Sequence, residues 1–441
     1  MSLIINLIAA IILFTIPIRM YKQGDNTIAH HPFKKDVFIS VNFNLYFLVF
    51  SILTAMVFLG PLSLLKYAFW IVFFLFLIGS GQIEYRYDAI VKSYLLFIGW
   101  AVISALLFSS AKFQALMMLI KFILPLFYLW LGYSAIRDSD DILFFMKKVA
   151  IGMCVYAFFI GGFSAKFLKP LYIWLNFGSG GLFISYASLA DYFSSLIVIP
   201  IGLYLITNNK KWILATIWIL ISTVLESVRT GLGGILLASS FLLITIFKGR
   251  AIPWIAGLSI AAIITVFAVP SLREKMFWDE NKTIESLSVS DANFNNIRSN
   301  ARGLIWEINM RRFYYPNKIT GSGLGESVEW MKGQPGLKLI HSDYVQILCD
   351  LGMIGIMLFG LFVFVTLYSI LSTTWASETP YILKLLGGLA LGSCAGTFFS
   401  MGFDNVVAYA QQSFVIPFVM IGIYLKAKDL YKANEYDGLI E

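Results

Sequence analysis

IPWIAGLSIAAIITVFAVP, residues 252–270, decides the fold class. It holds no charged residue and is apolar on every face. At 1.5 Å per residue such a run spans a hydrocarbon core of about 30 Å as a helix. A strand of a membrane barrel would alternate over about ten residues; neither this run nor Tyr344–Ser372 alternates. Inside lipid every backbone group must be paired within its own segment or barrel, so unbroken apolarity means helix.

Similar runs recur along the chain. Of 441 residues, 59% are hydrophobic and 13% charged, against about 25% charged in a soluble domain, and the mean hydropathy is +0.79. The runs predict an all-α, polytopic transmembrane bundle of about thirteen spans, with 12–14 compatible. Ten precede residue 271: Leu3–Ile18, Phe38–Gly60, Leu64–Ser80, Val91–Phe108, Phe113–Ile136, Ile142–Gly162, Phe183–Ile206, Trp212–Ser227, Leu232–Phe247 and Ile252–Pro270. Three follow in 345–441, starting from Tyr344–Ser372, Tyr381–Phe403 and Ala410–Lys426, before a short cytoplasmic tail. Between them lies one long polar insertion, 271–344. The first run lacks a basic segment ahead of it, so it reads as a retained span rather than a signal peptide.

Arg19, Lys22, Lys34 and Lys35 share one loop, and Arg137, Lys147, Lys148, Lys210, Lys211, Lys248 and Arg250 flank alternate later ones, with Lys426, Lys428 and Lys432 at the end. The positive-inside rule makes those ends cytoplasmic and puts the 271–344 loop, the turn Val228–Gly231 and the segment Ser164–Leu182 on the opposite face. The net charge of +8 is thus a topological signal, and no nucleic-acid partner is expected. Cys154, Cys349 and Cys394 lie in apolar runs without ligand spacing, so neither disulfides nor a metal knot is expected. No P-loop, GxSxG elbow or HExxH motif occurs. Asp191, inside an apolar run, would suit an ion-coupled transporter.

Within the loop, NARGLIWEINMRRFYY (Asn300–Tyr315) reads as an amphipathic helix at the membrane interface, with Leu304, Ile305, Ile308 and Met310 apolar. GSGLGES (Gly321–Ser327) reads as a flexible connector or lid, since no strand and helix flank it as a dinucleotide fingerprint requires. IHSDYVQILCDLGMIGIMLFG (Ile340–Gly360) opens the next span, with Asp343 as N-cap, Gln346 three residues on, and His341 just outside. Gly352 and Gly355 suit close helix packing.

The His341 stretch resembles the motif H-[NS]-x-[YF]-L-x-x-L-x-[ED]-x-G-x-x-G of the O-antigen polymerase and O-antigen ligase superfamily. ESVRTGLGGILL (Glu226–Leu237) is similar to its S-R-[GS] motif, with Val228 where a serine is usual, and RGLIW followed by GSGLG is similar to its R-x-x-[LI]-W tract. Asp350 stands where many members have Glu. The resemblance covers about Thr223–Gly360 and implies a metal-independent, cofactor-free glycosyltransferase of the GT-C-like type in the bacterial inner membrane, its site facing the periplasm. It implies undecaprenyl-diphosphate-linked oligosaccharides as substrates, and a chain-length regulator and a flippase as companions.

On this reading His341 is the general base for an attacking sugar hydroxyl, its imidazole being suited to accept a proton near neutrality. Arg229, Arg302 and Arg311 would bind the diphosphate, since planar guanidinium forks match phosphate oxygens. Asp343, Glu226 and Tyr344 would support them. Arg311 and Arg312 equally suit anionic head groups, and Asp343 a structural cap. The expected function is a polysaccharide polymerase that transfers a growing glycan from undecaprenyl diphosphate onto a lipid-linked repeat unit; the alternatives are a ligase acting on lipid A-core and an ion-coupled secondary transporter. The charge pattern predicts that a cysteine at Asn293, in a chain whose own three cysteines are replaced, reacts with a membrane-impermeant maleimide admitted to the periplasm; labelling only after lysis of the inner membrane reverses the topology.

Overall fold

A computed structural model describes residues 2–23, 28–31, 34–40, 42–57, 62–178, 182–183, 186–276, 302–334 and 339–432. The chain opens with α1 (Ser2–Gln23), a two-stranded antiparallel ribbon of β1 (Ile28–His31) and β2 (Lys34–Ser40), then α2 (Phe43–Thr54), α3 (Ser63–Gly79), α4 (Ala89–Leu107), α5 (Lys112–Ala135) and α6 (Ser139–Phe159). Short helices α7 (Gly162–Phe167) and α8 (Lys169–Ile173) precede α9 (Tyr186–Leu196), α10 (Val198–Thr207), α11 (Lys211–Glu226), α12 (Arg229–Phe247), α13 (Ile252–Ala268) and α14 (Pro270–Met276). The long loop contributes α15 (Arg302–Asn309) and α16 (Glu326–Lys332), followed by α17 (Asp343–Thr374), α18 (Tyr381–Phe403), α19 (Val406–Tyr409) and α20 (Gln411–Lys432).

Seven helical stretches among the described residues are long and apolar enough to cross a membrane, one of them, Arg229–Ala268, continuous over 40 residues. The 3-10 turn Lys248–Ala251 divides that stretch. Several expected boundaries move. The second helix starts at Phe43 rather than Phe38, because Ser40 still belongs to β2 and Asn42 caps the helix through the Leu45 N–H at 3.2 Å. The expected run Phe183–Ile206 is broken at Ile197, where Pro200 cannot donate to Leu196. The last helix runs on to Lys432, held by Arg86–Asp429 at 3.1 Å and Lys426–Glu84 at 2.7 Å.

α12 packs along α18, and both meet α9. Their approach is close: a Cβ at Gly396 would lie 2.2 Å from the Ser194 carbonyl oxygen. Small residues replace hydrophobic drive as the means of joining helices in lipid. α13, by contrast, buries no residue, and Ile252, Trp254, Ile260 and Ile264 face outward.

The decisive departure from regularity is in α17. Gly352 has φ 66° and ψ −163°, which interrupts the helix. Groups freed by the break find partners outside the helix: Ser322 and Gly323 N–H donate to the Cys349 and Asp350 carbonyls (both 3.0 Å), and Trp100 Nε1–H donates to the Leu351 carbonyl (2.9 Å). In return Met353 and Ile354 N–H donate to Lys318 (2.9 Å) and Ile319 (3.2 Å). The Asp350 carboxylate accepts from Gly325 N–H (2.9 Å) and Ser327 N–H (3.0 Å). GSGLGES is therefore a fixed clamp rather than the expected flexible connector, because five consecutive loop N–H groups, Ser322 to Glu326, and that of Ser327 find acceptors on α17, on the Ser104 hydroxyl or within the loop.

The rest of the loop is anchored the same way. Glu326 binds the α4–α5 turn, accepting from the Ser109 and Ser110 hydroxyls and from the Ala111 N–H at 2.8 Å. Partial burial alone would raise its pKa, but these donors outweigh it and hold the carboxyl below its ordinary value. Ile305 of α15 turns inward onto Met331 and Ile340, so that face covers protein rather than lipid, while Leu304 is exposed. Asp350→Ala leaves two buried N–H groups without an acceptor, at about 1–3 kcal/mol each. A lower thermal midpoint of the purified protein and faster tryptic cleavage at Lys318 are expected; unchanged values of both would show that the loop is held by something else.

Candidate functional site

Ser342, not Asp343, caps α17: its backbone is extended and its hydroxyl oxygen accepts from Val345 N–H at 3.3 Å. Asp343 is the first helical residue, and its carboxylate is spent elsewhere, accepting from Val407 N–H of α19 at 3.2 Å. Immediately ahead, His341 has φ 58°, a left-handed conformation that costs a non-glycine residue about 1–2 kcal/mol. The turn between α18 and α19 holds it there. His341 N–H donates to Asn405 Oδ1 at 2.6 Å, Asp343 N–H to the Asp404 carbonyl at 3.3 Å, and Asn405 Nδ2 to Gln346 Oε1 at 3.2 Å.

That arrangement brings His341 Nδ1 to 3.4 Å from Asp404 Oδ1, with the side chains 36% and 10% exposed. The contact is long for a hydrogen bond. With the proton on Nδ1 directed at Asp404, Nε2 keeps its lone pair and the ring keeps its orientation. A half-exposed imidazole so held can take a proton from a hydroxyl presented at the surface.

Asp191 lies beneath this pair. It is fully buried, neither of its carboxylate oxygens has a geometrically satisfactory hydrogen bond although the Ser400 hydroxyl lies beside it, and it feels the charges of Asp404, Asp343 and Arg302. The residue that suggested an ion pathway therefore lies within electrostatic reach of Asp404, the acid beside His341. Arg302, half-buried at the start of α15, completes the charge pattern.

Glu226, at the end of α11, is buried and interacts electrostatically with Asp191. Ser227 follows in a left-handed conformation (φ 55°), and Arg229, half-buried, begins α12. The Tyr344 hydroxyl donates to the Phe398 carbonyl at 2.7 Å. Arg311 is not drawn toward His341. Its side chain is 74% exposed and paired with Glu307 one turn back, and Arg312 lies 5.0 Å over the Trp330 ring.

The structure sets Asp343 two residues after His341, at the start of α17, and brings Arg302 within electrostatic reach of Asp191; the residues added to these are Asp404, Asn405 and Asp191. Asp404 falls in a short turn whose sequence is compatible with either a solvated acid or a cavity-lining one, Asn405 carries no sequence signal, and Asp191 pointed to another function. No group of three His, Cys, Asp or Glu among the described residues is placed to share a metal ion.

Residues 214–360, about a third of the chain, match the family described as O-Antigen ligase. The match contains Glu226, Arg229, Arg302, His341 and the clamp on Asp350, and it supports the polymerase or ligase class without separating the two. No curated protein matches the chain.

Proposed function

We propose that this protein is a polysaccharide polymerase of the O-antigen type. It transfers a growing glycan from undecaprenyl diphosphate onto the terminal sugar of a new lipid-linked repeat unit. The observation that carries the reading is the His341–Asp404 pair, at 3.4 Å, within the segment that matches the family.

In the reaction the acceptor hydroxyl oxygen attacks the anomeric carbon of the donor glycan. Its proton passes to His341 Nε2 while Asp404 balances the imidazolium charge. The bond from the anomeric carbon to the diphosphate oxygen breaks, and undecaprenyl diphosphate leaves with the electron pair. Arg302 and Arg229 offer permanent positive charge and planar donors to that leaving group. Arg311, on the exposed side of the loop, is left to head groups or to the rim of the substrate path.

On this reading the site end of the bundle faces away from the cytoplasm of a bacterial inner membrane, which the distribution of positive residues supports. A ligase would use the same donor and base with a lipid A-core acceptor. A transporter built on Asp191 would leave His341 without a role; its proximity to Asp404 favours the transferase.

His341→Ala should abolish polymer in cells while the protein remains inserted. Asp404→Asn, which keeps the shape but removes the charge, should slow transfer by roughly 10²-fold. Wild-type chain formation by His341→Ala ends the claim that this residue is the base.

The arginine reading is tested with purified lipid-linked repeat units. Arg229→Lys and Arg302→Lys keep charge but lose the fork, so each should impair transfer, whereas Arg311→Lys should cost little. Full activity of both of the first two, or loss of wild-type activity to EDTA, would falsify a metal-free mechanism built on these arginines.

A further inference from the structure

A second feature at the same end of the bundle takes no part in that chemistry. α7 and α8 fold back over the end of α11 and the start of α14, lining an open cavity of about 370 Å³. The approach is enforced by glycine: a Cβ at Gly162 would stand 2.5 Å from both Glu226 N and the Ser222 carbonyl oxygen. The cavity wall carries Lys166, Lys169 and Tyr172, and the hydroxyls of Ser227 and Ser271 lie 2.8 Å apart beside them. Glu226 contributes to the lining; its Oε1 accepts from Gly162 N–H at 3.2 Å, and its buried Oε2 has no hydrogen-bond partner among the described residues. Both lysines are exposed, and neither has an ion-pair partner among the described residues.

Two cations, three hydroxyl-bearing side chains and a carboxyl with spare acceptor capacity form a lining for a phosphorylated sugar. The phosphate would face the lysines and serines, and a sugar hydroxyl would donate to the acid. The volume lies in the range of small-ligand sites.

We propose that this cavity is a second anion site, which holds the diphosphate of the acceptor lipid-linked glycan. The inference rests on the transferase reading and deepens it. A polymerase handles two lipid diphosphates at once, and they need different treatment. The donor's diphosphate departs, so planar arginine donors beside the base are called for. The acceptor's diphosphate only has to be held, one glycan away from the base, and the point charges of two lysines suffice.

The test uses the full chain in nanodiscs of zwitterionic lipid, with radiolabelled undecaprenyl diphosphate as probe, since it carries no glycan and cannot turn over. Wild-type protein should bind two equivalents. Lys166→Gln with Lys169→Gln should bind one, the double arginine replacement of the same lysines should keep two, and Arg229→Gln with Arg302→Gln should lose the other equivalent. Two equivalents retained by the lysine-to-glutamine variant overturn the proposal. So does displacement of that equivalent by a tenfold excess of phosphatidylglycerol, which would make it a site for bulk anionic lipid. If the arginine variant alone keeps both equivalents, the donor-site reading fails while the lysine site stands.

Discussion

The break in α17 at Gly352 is the constraint on which the rest of the site end depends. A helix interrupted inside an apolar bundle exposes carbonyl and N–H groups that hydrocarbon cannot satisfy. Here the replacement partners are backbone groups of Lys318–Gly323 and the Trp100 indole, and the Asp350 carboxylate turns the exchange into a clamp. A side chain at residue 352 would meet Gly321 N at 2.4 Å, so glycine is required on conformational and steric grounds together. The loop is thereby a continuation of the bundle's hydrogen bonding.

The clamp also fixes where the loop meets the start of α17. α15 is pinned by the Trp306 indole N–H to the Ile340 carbonyl, at 2.9 Å, one residue before His341. From the other side the turn at Asp404 and Asn405 holds the His341 backbone. The imidazole is thus fixed between two independently anchored elements, while its side chain stays 36% exposed. Rigid support with an open face suits the proton-accepting role proposed for His341.

The sequence was most readable where one residue type serves one purpose. Apolar runs gave helices, and Tyr381–Phe403 begins and ends where its hydropathy does. The cap was misplaced by one residue because Ser342 and Asp343 are both good caps, and only the demand of Val407 N–H on Asp343 decides between them. GSGLGES looked like a loose linker because the carboxylate that orders it sits within the next helix, at Asp350. The partner of His341 lies 63 residues away, a separation that periodicity and spacing do not register. Asp191 was noticed as a mid-span acid, but its neighbours come from α17, α18 and the loop, which only the packed bundle brings together.

The clamp also sets an order of assembly. Most spanning helices carry all their backbone pairing within themselves and can enter the bilayer as they leave the ribosome. The outer part of α17 cannot finish alone, because the donors for Cys349, Asp350 and Leu351 reside at Ser322, Gly323 and Trp100. Of these, Trp100 is synthesised long before and the glycine clamp shortly before. The loop must therefore settle against α4 before the helix that follows it can complete its backbone pairing, which makes the last stage of folding dependent on a segment outside that helix.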